Sequence, residues 1–81
     1  RIKIVEALAA GLPVVSTSKG CEGLPLEPGR DLLVADDAPG FAAHLIELAR
    51  SVARREDLGR AGRLYATRQH APEVVAEVTA Q

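Results

Sequence analysis

The apolar positions along this chain change their period several times, and each change marks an expected element. In the opening stretch "IKIVEALAA", Ile4, Val5 and Leu8 share one helical face while Ala7, Ala9 and Ala10 keep the element thin, so the pattern predicts a helix over 2–10. Gly11 supplies a left-handed stop and Pro13 forbids continuation. Pro13 to Thr17 then reads as a short strand, and its adjacent valines suit burial on both faces of a parallel sheet. Residues 18–30 are rich in turn formers, with Leu24 and Leu26 spaced to pin an ordered loop, and Asp31 to Ala35 reads as a second strand. Asp37 is the expected N-cap of the next helix, with Pro39 in its first turn. Phe41, Leu45, Leu48, Ala49 and Val52 line one face of that helix. A further helix is expected to start near Arg55–Asp57 and to bury Leu58, Ala61, Leu64 and Tyr65, weakened by Gly59 and Gly62. His70-Ala71-Pro72 breaks the pattern before a last short helix in 73–80 around Val74, Val75 and Val78.

Helix, strand, strand, then helices implies right-handed crossovers, hence an α/β unit with a partial Rossmann-like parallel sheet of about two strands. Two strands are too few for a self-sufficient sheet of this kind. The expectation is therefore one unit over 1–81, a helix-strand-loop-strand part (1–37) followed by a helical tail (38–81), forming the C-terminal part of a larger doubly wound domain. Arg1 opening directly into a helical pattern fits a piece of something longer. A second copy pairing on the strand edges would be the other source of missing strands.

Composition narrows the chemistry. The chain has 81 residues, 47% hydrophobic and 26% charged, with net charge -1, so there is no general field to attract nucleic acid. One cysteine, Cys21, excludes an internal disulfide and fits a reducing, cytoplasmic setting. No apolar run approaches the ~20 residues that span a bilayer, and no signal peptide is visible. The many arginines between 50 and 68 could touch an anionic membrane, as in peripheral enzymes of the inner membrane. Glu47, Glu56 and Asp57 interrupt them, which favours a solvated face.

Glu6 stands out as the one carboxylate in an otherwise apolar or small run. "KIVEALAAGLPVVST", the loop with "CEGLPL", "GRDLLVADD" and the helix start "APGFAAHL" together resemble the C-terminal, nucleotide-sugar-binding domain of GT-B glycosyltransferases. The resemblance is to the retaining group called glycosyltransferase family 4, or glycosyl transferases group 1, and it is strongest over residues 1–49. It implies a transferase of carbohydrate biosynthesis that moves a sugar from a nucleotide-diphosphate donor to an acceptor hydroxyl. By the resemblance, Glu6 is the second of the family's paired glutamates and accepts hydrogen bonds from the donor ribose, a task suited to two acceptor oxygens facing a vicinal diol. The first glutamate of the pair would precede Arg1. The donor diphosphate would lie at the N-terminus of the same helix, near Arg1, Ile2 and Lys3. The resemblance implies no cofactor and no catalytic metal, and an acceptor-binding N-terminal domain as the missing partner, so the chain alone should not turn over.

The remaining candidates have plainer readings. Glu6 could simply be solvated or paired with Lys3. Glu22, in the loop after the first strand, is a candidate donor contact or a solvated turn residue. Cys21 reads as a small loop residue, Asp36-Asp37 as helix capping rather than a metal motif, and His44 and His70 as structural or solvated. Two other functions fit the pattern: a non-catalytic α/β unit that self-associates through its sheet edges, and another Rossmann-like sugar-nucleotide enzyme such as an epimerase.

Overall fold

The computed structural model describes residues 2–69; Arg1 and the helix expected in 73–80 lie outside the described residues. Three helices and a two-stranded parallel sheet follow in the order α1 (Ile2–Ala9), β1 (Val15–Ser16), β2 (Leu33–Val34), α2 (Ala38–Arg50), α3 (Val52–Gln69). This is the expected α/β unit with a partial Rossmann-like sheet. In register, Val15 faces Leu33 and Ser16 faces Val34, and a single bridge between Pro28 and Leu32 precedes the ladder. Both strands are shorter than the valine and leucine runs suggested. Ladder hydrogen bonds need a partner, and each strand has only one among the described residues.

Helix α1 ends in a Schellman turn. Gly11 adopts φ 77°, its N–H donates to Leu8 O (3.0 Å), and Leu12 N–H donates to Ala7 O (3.1 Å). The short connection through this glycine turns the chain back into β1. Helix α2 begins as its sequence indicates: the Asp37 carboxylate accepts from Gly40 N–H at 2.7 Å, and a proline occupies the first turn. Its end differs from expectation. Ser51 closes α2 and starts α3 at once, its hydroxyl accepting from Arg54 N–H (3.0 Å) and its carbonyl from Arg55 N–H (3.1 Å). The third helix therefore begins at Val52, ahead of the expected Arg55–Asp57.

Two clusters form the core. Leu8, Ala9, Tyr65 and Ala66 join α1 to α3, with Ile4, Val14 and Leu26 against them. Leu33, Leu48 and Leu58 join the sheet to α2 and α3, with Val15 alongside. Of the expected apolar face of α2 only Leu48 is buried; Leu45 is 51% exposed, and Val52, which instead opens α3, is 58% exposed. Leu64 is also half exposed, and α3 buries Leu58, Gly59, Gly62, Tyr65 and Ala66. Gly59 and Gly62 are thus contact points rather than weak spots. A methyl group on Gly59 would fall far inside contact distance of the Gly11 carbonyl. One on Gly62 would lie 2.7 Å from Leu8 Cδ2 and 3.3 Å from Asp31 O. The absence of side chains at these two positions is what lets α3 lie close against α1.

Candidate functional site

Open α/β sheets bind ligands beyond the carboxyl ends of their strands. Here those ends are Thr17-Ser18 after β1 and Ala35-Asp36 after β2. Ser18 ties them together: its N–H donates to Asp36 Oδ1 (2.8 Å) and its hydroxyl donates to Asp36 Oδ2. These hydrogen bonds hold the Asp36 carboxyl below its usual range. Asp36 and Asp37 are therefore both occupied, one by the loop clamp and one by the α2 cap. A shallow hollow of about 380 Å³ opens beside them, lined by Thr17, Ala35, Phe41 and Leu45 among others.

On α1, Lys3 and Glu6 are exposed and lie on the side opposite the buried Val5, Leu8 and Ala9. Neither makes an ion pair or a side-chain hydrogen bond among the described residues, so the plain reading of Glu6 as the partner of Lys3 is not what forms. The first turn of α1 carries no acidic residue. Ile2 opens the helix, and Arg1 lies outside the described residues. Glu22 is exposed in a run of turns after β1, its N–H donating to Lys19 O at 3.3 Å. Cys21 sits in the same turns, half-buried, with its thiol toward Thr17 O (3.4 Å). His44 Nε2 lies 3.1 Å from Val34 O and its Nδ1 is 3.6 Å from Glu47, which anchors α2 to the sheet. Among the described residues no group of three His, Cys, Asp or Glu could hold a metal ion, and no helix is long and apolar enough to cross a membrane.

Two groups of residues carry more of the structure than their types suggested. Asp31, read as the start of a strand, is buried with its side chain 3% exposed. Its carboxylate accepts from Glu27 N–H (2.8 Å) and from Arg30 Nε (3.0 Å) and Nη2 (3.1 Å). Burial pushes its pKa up, yet the hydrogen bonds from Arg30 and Glu27 and the Arg30 charge together outweigh this and hold it low. The nearby Tyr65 phenol is raised, by burial first and by the Asp31 charge second. The arginines of α3 mostly close backbone carbonyls. Arg55 donates to Leu48 O and Ala49 O at the end of α2, Arg54 donates to Gly29 O (2.8 Å) and Glu47 (2.9 Å), and Arg63 donates to Ala9 O (2.9 Å) at the end of α1. Arg60 instead pairs with Asp57 and Glu56 on the exposed face of α3.

Comparison with known proteins now gives the class. The family model described as glycosyl transferase-like matches residues 1–80, so the chain belongs to that family. A search of curated proteins finds no match, and a search of solved structures finds none either.

Proposed function

We propose that this chain is the donor-binding part of a retaining GT-B glycosyltransferase of the family 4 type. Its parent would transfer a sugar from a nucleotide-diphosphate donor to an acceptor hydroxyl with retention at the anomeric carbon. Membership of the glycosyl transferase-like family over nearly the whole chain supports the transferase class. The observation that carries the finer reading is the uncommitted, outward-facing carboxylate of Glu6 on α1, in the motif that gives the resemblance. In this reading Glu6 accepts hydrogen bonds from the donor ribose. The first turn of α1 receives the diphosphate: its backbone N–H groups lack helical partners, and Lys3 stands there although a cation at a helix start is unfavourable in isolation. Ile2 and Arg1 are secondary candidates for the diphosphate, and Glu22, in the loop after β1, is a secondary candidate for a donor contact. The acceptor-binding half and the first glutamate of the pair are supplied from outside these residues, so the 81-residue chain holds donor without turning it over.

Calorimetry with UDP and GDP, comparing the unchanged chain with Glu6→Ala, tests this. The variant should bind on the order of tenfold more weakly, as expected for losing a charge-assisted hydrogen bond. Equal affinity for both proteins would remove Glu6 from the site. A second reading, self-association through the sheet, is favoured by the single partner that each strand has among the described residues.

A further inference from the structure

An eight-residue helix is too short to persist in water on its own, so whatever places α1 must come from its neighbours. The carbonyls at its C-terminal end show which neighbour does so. Glu6 O accepts from Ala10 N–H (3.0 Å), Ala7 O from Leu12 N–H and Leu8 O from Gly11 N–H, all within the turn itself. Ala9 O is left over, and Arg63 Nη1 of α3 reaches it at 2.9 Å across 54 residues of sequence. The guanidinium also brings positive charge to the negative end of the α1 dipole. Arg63 can reach because α3 lies tight against α1 at Gly59 and Gly62. Glu6 belongs to the same last turn, since its own carbonyl is one of those closed there.

We infer that Arg63 is a positioning residue for the donor site: by holding the last turn of α1 it fixes where the Glu6 carboxylate stands relative to the incoming ribose. This rests on the reading of Glu6 as the ribose acceptor. Arg63 does not touch the nucleotide; it acts through α1. A guanidinium suits the task because its rigid fork reaches from one helix to a carbonyl of the other. Lysine at the same place could reach the carbonyl as a point charge but would hold it in a looser geometry.

The test is a double-mutant cycle on the full chain, with UDP affinity read by calorimetry and thermal midpoint read alongside. Arg63→Ala should weaken UDP binding by roughly fivefold or more while Glu6 is present, and should add almost nothing in a Glu6→Ala background. The thermal midpoint should fall by the same amount in both backgrounds, which separates positioning from stability. Arg63→Lys keeps a cation at the carbonyl and should recover most of the affinity, while Arg63→Met, which keeps an apolar stem without the donor, serves in the cycle if the alanine variant fails to fold. If Glu6→Ala weakens binding but Arg63→Ala (or Arg63→Met in its place) leaves it unchanged, or weakens it equally in both backgrounds, the positioning role is overturned while the donor reading stands. If the unchanged chain does not bind UDP, the donor reading itself falls, and if it binds UDP no more tightly than Glu6→Ala, Glu6 leaves the site; either result takes the inference with it.

Discussion

Asp31 shows how a single buried charge can be kept without a stability penalty large enough to exclude it. Its carboxylate accepts three hydrogen bonds, two of them from a guanidinium that stays largely in water. Because its folded-state pKa is depressed, the stabilisation is fully present above the unfolded value, near 3.9 for an aspartate, and is lost as the pH falls through the lower folded value. The thermal stability of the unchanged chain should therefore fall below about pH 4, and Asp31→Asn should flatten that part of the profile. The same substitution should lower stability at neutral pH by about 2 kcal/mol, since it trades charge-assisted bonds for neutral ones and turns a donor toward Arg30. Equal acid sensitivity of the two proteins would assign the loss to other carboxylates. The sequence pattern marked Asp31 only as the start of a strand. Its role depends on Glu27 and Arg30 folding back around it, and on the α3 surface at Gly62 and Tyr65 that closes over it, contacts that no local pattern encodes.

At the scale of elements, sequence reading succeeded where the signal is local and failed where it depends on a distant partner. The Gly11 stop, the Asp37 cap and the turn-rich loop all rest on backbone chemistry within a few residues, and all three stand in the structure. The face that α2 would bury, the start of α3 and the meaning of its glycines depend on what packs against them. Helical periodicity gives a stripe but not its neighbour, which is why Leu45 and Leu64 read as core and are half exposed. The glycines offer a direct check. Alanine in an exposed helical interior stabilises by about 1 kcal/mol over glycine. At Gly59 the added methyl would meet the Gly11 backbone, which cannot yield cheaply, so Gly59→Ala should destabilise by about 3 kcal/mol or prevent folding. At Gly62 the nearest atom is the flexible end of Leu8, so Gly62→Ala should cost roughly 1 to 2 kcal/mol. Denaturant titration of both variants measures the difference. Stabilisation by either substitution would contradict the close approach of α3 to α1. The candidate site divides along the same line. Glu6 could be named as a candidate because it breaks an apolar pattern within the motif that gives the resemblance, whereas the reach of Arg63 to Ala9 O was hidden among arginines of similar appearance.

Across the whole molecule the sheet is the least complete part. Two strands of two residues each pair with one another and with no further strand among the described residues. Unpaired strand edges are ready templates for further pairing. Light scattering should accordingly show average mass rising with concentration above the 8.5 kDa of a single chain. A constant monomer mass at all concentrations would mean that these short edges are too small or too twisted to recruit a neighbour. Association of this kind would leave the outward face of α1 untouched, so nucleotide binding and self-association can be measured independently.

The contact between Gly11 and Gly59, with Arg63 closing Ala9 beside it, also sets an order of events in time. During synthesis α1 is made before α3, so the surface that holds α1 does not exist until α3 has been made. Contacts this distant in sequence form late, because the intervening loop must close before they contribute. Within this unit the helix bearing Glu6 is therefore made before the helix that holds it and reaches its place only afterwards, so the proposed donor site is finished only when folding of the unit is complete.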